Sequence, residues 1–433
     1  MIAFLIAFLL SLFASLIQQL IPQVDAIDKI IAVVFAVSAI AKIAYLETKQ
    51  RFTLRPSDIG LLAISIIFII YCFIPNMFHQ PSNTMFLQIY SMFSILKFVI
   101  VFWSGLFLFR NTKFKTSTLF FRRMSTTLTT IFLIIGVLNI PLHFLEPFDV
   151  RFGIETVSFG FRHPAQFAAT IIVITIVHIF ITWSEKGKMP YYIIFANFIL
   201  VFLAGRTTSI GFYLCLILLI LIFPYIKRIP IYIYAIVGAV FYWLGSDRIS
   251  NQFLGTDGEA RGVLLDTSLT IASEHAPFGA GLGMFGSNAS RLNYSPLYEQ
   301  YGISRVWGLT QENPNFVTDS YWAMIIGELG YLGMFFIIVI IGYILWLLYK
   351  EIVGSTYQIK FLIFLPIVYA LMTSPIDTVL VSNTSIFLVL ATIYMVALNN
   401  EYRSQKIKNQ EAKTMKKNNF SYRWRRFYRI TSL

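Results

Sequence analysis

The stretch FLAGRTTSIGF (residues 202–212) decides how this chain is read, because one arginine interrupts an otherwise apolar run. Between residues 191 and 226, Arg206 is the only charged side chain. An α-helix rises 1.5 Å per residue, so about 20 residues cross the hydrocarbon core of a bilayer. The run is too long for one crossing and the right length for two short ones. It therefore predicts spans near 191–204 and 208–226, with Arg206 in the turn between them, at a membrane face.

Working outward, the same pattern recurs. The chain has 433 residues, 57% of them hydrophobic and only 13% charged, whereas a soluble domain carries about a quarter charged residues. The expected fold is an all-α integral membrane protein with about 12 transmembrane helices and one large extracytoplasmic loop. The spans fall near 2–21, 30–46, 59–75, 85–109, 126–145, 165–183, 191–204, 208–226, 230–245, 320–349, 361–373 and 384–398. The first lacks a basic leader and a small-residue cleavage site, so it reads as retained. This divides the chain into spans one to nine (1–245), the loop (246–317), spans ten to twelve (318–400) and a basic, disordered cytoplasmic tail (401–433). No internal repeat is visible.

The net charge of +13 is topological. With both termini cytoplasmic, the inner loops and tail hold twenty-four Lys and Arg residues against eight on the outer side, the positive-inside pattern. Nucleic acid is not the expected partner. The tail stretch RWRRFYR (423–429) suits anionic lipid head groups. Cys72 and Cys215 both lie in spans, so no disulfide framework is expected. Lys186, Lys188, Lys227 and Arg228 flank the short pair on the inside, which turns Arg206 outward.

Four stretches carry candidate chemistry. Arg206 precedes Thr207, Thr208 and Ser209 at a helix start, where backbone N–H groups favour an anion. An arginine at a span end also snorkels without function; here the short flanking segments put it at head-group depth, where a lipid-linked pyrophosphate would lie. In DGEARGVLLD (257–266), Arg261 is either a surface ion pair with Glu259 or Asp257, or a second anion clamp. GLGMFG (281–286) fits GxGxxG, but no βαβ unit surrounds it, so the dinucleotide reading fails. Gly279, Gly281 and Gly283 instead permit a tight turn and close backbone approach. TDSYWAMIIGELGYLG (318–333) opens span ten. There, Thr318 or Asp319 is either the helix N-cap after Pro314 or, for Asp319, a carboxylate at the outer mouth of the bundle.

In GFRHPAQFA (160–168), Arg162 and His163 are either phosphate or sugar ligands, or interfacial charges before a Pro-started helix. Lys97 and His178 lie within spans and rank lower, with no partner identifiable in the sequence. The loop segment 264–272 reads as a short interfacial helix. Its surroundings combine seven acidic residues, four arginines and several aromatics, suited equally to a polar substrate on a lipid and to an interfacial lid.

Taken in order, these stretches resemble the O-antigen ligases and the Wzy-type O-antigen or capsular polysaccharide polymerases. The likeness covers roughly residues 159–345: HPAQFA at 163–168, the outward Gly205-Arg206-Thr207, an arginine ahead of PFGAGLG, and Asp319-Ser320 followed after nine residues by Gly330 and then Gly333. Aspartate stands where the ligases have histidine, which favours the polymerase branch. The resemblance implies a helical bundle of the GT-C type in the cytoplasmic (inner) membrane, with an extracytoplasmic active site, no metal and no cofactor. It implies polyprenyl-pyrophosphate-linked oligosaccharides as donor and acceptor, with a chain-length regulator and a flippase as partners besides membrane lipids. Arg206, Arg261, Arg162 and His163 would then bind pyrophosphate. Asp319 first, then Glu274 or His275, would assist the acceptor hydroxyl. A ligase is the nearest alternative. A metal-dependent glycosyltransferase using Asp25 and Asp28, and a transporter or flippase, are the others.

Overall fold

The structure is a computed structural model that describes residues 1–21, 26–50, 54–79, 82–151, 153–222 and 260–430, with side chains as far as Glu411. It is helical almost throughout. In chain order the helices are α1 (Ile2–Leu12), α2 (Ala14–Leu20), α3 (Ile27–Thr48), α4 (Pro56–His79), α5 (Met85–Phe109), α6 (Thr118–Leu142), α7 (Pro164–Lys186), α8 (Tyr191–Leu203) and α9 (Thr207–Ile222). Then come α10 (Ala260–Glu274), the short α11 (Asn288–Leu292) and α12 (Leu297–Gln300), α13 (Tyr321–Glu351), α14 (Tyr357–Thr373) and α15 (Asn383–Ile430). A small antiparallel hairpin, β1 (Asp149–Arg151) and β2 (Ile154–Thr156), was not expected from the sequence.

Seven of these helices, α3 to α7, α13 and α15, are long and apolar enough to cross a membrane. The first expected span is a pair, α1 and α2, bent by 61° at a break, although no Pro or Gly marks that point. The seventh, eighth and eleventh are the shorter apolar helices α8, α9 and α14. The ninth, 230–245, lies outside the described residues. The chain is thus a helical membrane protein.

Burial sorts the helices into layers. Helix α7 has 89% of its apolar window buried and α15 has 83%, against 22% for α3 and 28% for α4 and α6. Helices apolar all round occupy the centre. The outer ones leave Val33, Val37, Ile66, Ile70, Ile134 and Val137 exposed, a surface that suits lipid. Helix α7 starts cleanly because Pro164 takes its first turn, and the His163 side chain accepts the Ala165 N–H at 3.2 Å.

Two expectations are corrected. The segment after Glu401 is helical, since α15 runs without a break to Ile430; residues 400–418 are rich in Lys, Glu and Gln, which favour helix, and contain neither Gly nor Pro. The N-cap of α13 is Ser320, accepting the Ala323 N–H at 3.4 Å, rather than Thr318 or Asp319.

Inside α13 the helix kinks at Gly330, at φ +67°, which frees carbonyls that lipid cannot satisfy. The segment 277–282 answers them. Ala280 N–H donates to Gly327 O at 2.8 Å, and Gly281 N–H donates to Glu328 O at 3.0 Å. The Tyr71 hydroxyl donates to Leu329 O at 2.5 Å. A Cβ on Gly279 would lie 2.5 Å from the Glu328 carbonyl carbon, and one on Gly330 would lie 2.5 Å from the Phe278 backbone. Only glycines allow this approach. Beyond the kink, the rest of the loop folds over its own core of Leu264, Ile271, Phe285, Tyr298, Leu309 and Val317.

Candidate functional site

The starts of α3, α5, α7, α9, α13 and α15 meet the 260–319 cap around a cavity of about 1650 Å³. At the other end of the bundle, Arg55, Arg110 and Arg122 reach Glu351, Asp58 and Glu185.

Arg206 enters the cavity from the turn between α8 and α9. Gly205 makes that turn at φ +66°, where a Cβ would strike the Thr156 side chain at 2.1 Å. The guanidinium sits 2.6 Å from His163 Nε2 and packs over the Phe148 ring at 5.3 Å. Burial, and then the charges of Arg206, Arg261 and Arg151, hold the His163 pKa down to about 3. The ring is therefore neutral and accepts through one nitrogen only, either Nε2 from the Arg206 N–H or Nδ1 from the Ala165 N–H. Arg206 is lowered to about 10, chiefly by burial and then by Arg151 and Arg261, so it stays cationic at neutral pH. Among the described residues no carboxylate is within ion-pair distance of it. Thr207, Thr208 and Ser209 line the same wall, so the first turn of α9 faces the cavity. The Thr207 hydroxyl is buried without a partner among the described residues.

Arg261, on α10, comes to this wall from the cap. Its Nη2 lies 2.9 Å from Asp319 Oδ2, and its Nε is buried without a partner among the described residues. Asp319 is thus Arg261's ion pair, while Asp257 and Glu259 lie outside the described residues. Burial raises the Asp319 pKa despite the nearby Arg261 and Arg206. A second carboxylate, Asp377, stands between α14 and α15. Burial, and then repulsion from Asp319, lift it to about 6. The sequence held one signal for Asp377 that the motif reading passed over. In the expected topology, the connection between spans eleven and twelve falls on the same side as Arg206.

The remaining candidates divide. Arg162 and His163 line the cavity, as do Arg151 and Arg291. Glu274, exposed at the end of α10, accepts from the Tyr301 hydroxyl, and neither it nor His275 borders the cavity. Gly279, Gly281 and Gly283 serve the α13 kink and the loop instead. Lys97 has a partner after all, the buried carboxylate of Asp28. That leaves Asp28 committed to a lysine, and Asp25 lies outside the described residues. His178 contacts Ser125 through Nδ1, away from the cavity and toward the opposite end, near Arg122 and Arg123.

Among the described residues, seven cationic side chains line the cavity (Lys29, Lys97, Arg151, Arg162, Arg206, Arg261, Arg291) against four aspartates (Asp28, Asp149, Asp319, Asp377). Lys97 is matched by Asp28, Arg151 by Asp149 at 2.8 Å, and Arg261 by Asp319. Among the described lining residues cations outnumber carboxylates, and Arg206 is the cation with no carboxylate at ion-pair distance that stands beside His163. A site so built can hold a polyanion and keep a carboxylate of near-neutral pKa beside it.

No protein-family model matches the chain, and no curated protein matches it.

Proposed function

We propose that the chain is a polysaccharide polymerase. It would join polyprenyl-pyrophosphate-linked oligosaccharide repeat units by glycosyl transfer at the outer face of the cytoplasmic membrane. The observation that carries this reading is the meeting of Arg206 and Arg261 at one cavity, with cations in surplus and two unpartnered donors, Thr207 Oγ1 and Arg261 Nε. A diphosphate supplies the charge and the acceptor oxygens that such a wall lacks, and the arginine fork matches its geometry. The basic loops gather at the opposite end of the bundle, which under the positive-inside rule turns the cavity outward.

In the reaction, the acceptor hydroxyl oxygen bonds to the anomeric carbon of the donor sugar. The bond from that carbon to the diphosphate oxygen breaks, and its electron pair leaves with the lipid diphosphate. Arg206 and Arg261 stabilise this departing charge, and their preorganisation lowers the barrier. The hydroxyl proton passes to a carboxylate. Asp377 suits that step better than Asp319, because its pKa of about 6 makes it the stronger base and because Asp319 is tied to Arg261. Asp319 then positions Arg261.

Replacing Arg206 or Arg261 with lysine should shorten the surface glycan to single repeats while the protein remains in the membrane. Normal chain length in both variants rejects the assignment. A strain lacking the gene separates polymerase from ligase: single repeats indicate the former, long chains stranded on their carrier the latter.

A further inference from the structure

A second, smaller cavity, of about 440 Å³, opens between α6 and α7 at the basic end. Its walls follow helical periodicity on both sides. Helix α7 contributes His178, Thr182 and Lys186, one turn apart, and α6 contributes Leu119, Arg122 and Arg123, then Thr126 and Thr127. The glycosyl-transfer reading makes no use of it.

The charges here are unequal. Arg122 lies 3.0 Å from Glu185, which also accepts from the Tyr402 hydroxyl at 3.1 Å. Among the described residues, Arg123 and Lys186 have no carboxylate partner. The hydroxyls are unequal too. In α7, Thr170 donates to Gln166 O at 2.8 Å and Thr175 to Ile171 O at 2.7 Å, the usual helical fold-back. Thr182 does not. It is only 9% exposed, yet its Oγ1 has no partner among the described residues, an arrangement that costs stability unless a ligand supplies an acceptor.

We propose that this cavity binds a phosphate group through Arg123, Lys186 and the Thr182 hydroxyl. Phosphate oxygens accept from all three and neutralise the surplus charge. Its rim continues onto lipid-facing α6, where Leu119 and Phe120 are exposed, so acyl chains can run outward from a bound head group. Two sources carry the chemistry, the head group of an anionic phospholipid and free phosphate, and the test separates them.

The test uses the full-length protein in nanodiscs that contain phosphatidylcholine with a minor share of phosphatidylglycerol, and reads lipid retained after extraction by native mass spectrometry. The wild type should retain phosphatidylglycerol preferentially. The double variant Arg123→Gln/Lys186→Gln should weaken this roughly thirtyfold, as expected for two cations at a membrane surface. Thr182→Val provides a readout that a purely structural threonine would not. Without anionic lipid, it should melt at a higher temperature than the wild type, because it removes an unsatisfied hydroxyl. It should also gain less from added phosphatidylglycerol. Inorganic phosphate that displaces the lipid supports the phosphate chemistry and assigns its source to solution; no displacement supports the lipid. Equal retention of both lipids by the wild type, or unchanged preference in both variants, overturns the proposal.

Discussion

The two ends of this bundle are both rich in arginine, and they use it in opposite ways. At the basic end, buried Arg110 donates to Asp58 at 2.7 Å and to Glu351 at 3.0 Å, and Arg55 shares the same glutamate at 2.7 Å. At the cavity end, half-buried Arg206 faces a neutral imidazole and an aromatic ring. Arg151 and Arg261 oppose its charge more strongly than Asp377 and Asp149 support it. The first arrangement closes three helices against one another. The second holds a guanidinium that no carboxylate among the described residues pairs with directly. Function is therefore marked by unmatched charge, and structure by charge that is matched.

The difference can be broken from either side. The largest effect on folding should come from Arg110→Ala, which leaves Asp58 and Glu351 without their shared partner. Breaking a buried pair costs about 3–5 kcal/mol, so the protein yield and melting temperature in detergent should collapse. Arg206→Lys should do the reverse. It should leave melting nearly unchanged and lower glycosyl transfer by roughly 10²–10³, the loss seen when one preorganised donor to a departing charge is removed. If the two variants lose stability equally, the contrast between the ends is wrong.

The carboxylates sharpen the same comparison. Asp377 has a raised pKa of about 6, so it is protonated and inactive as a base below that value. The transfer rate should rise with pH through about 6 and then level off. Asp377→Asn should remove that rise and lower the rate by roughly 10²–10⁴, the span for general-base catalysis. A profile unchanged in the variant would move the proton to another acceptor.

The smallest effect concerns His163. Its folded pKa of about 3 lies below the ordinary value of 6.5, so between these values the unfolded chain binds the proton and the folded one does not. The stability contribution is complete above pH 6.5 and declines as pH falls toward 3. His163→Gln should flatten this part of the melting-temperature profile. A steeper acid loss in the variant would mean that the ring is protonated beside Arg206.

Much of this was legible from residue order. The short pair around Arg206 and the Thr207–Ser209 helix start follow from span length and the polar turn. Arg162 and His163 were marked by the Pro164 helix start. Glu274 and His275 entered only as second choices to assist the acceptor hydroxyl, and α10 ends with both away from the cavity. Asp377 was missed because it belongs to no motif. Lys97 lacked a partner only along the sequence; Asp28 is 69 positions away. The Ser320 cap was hidden by two neighbours of equal capping propensity.

By itself, the sequence determined that the chain is helical and suited to a membrane, and how its positive charge sorts between loops. Those properties are sums over neighbouring residues, set by apolar length and by the cost of carrying charge into lipid. Only the tertiary structure decided which arginines are cancelled and which remain available, and that the segment 277–282 seals the kink in α13. Pairing a guanidinium or freeing a carbonyl depends on atoms from distant segments meeting within hydrogen-bond reach, which no local pattern encodes.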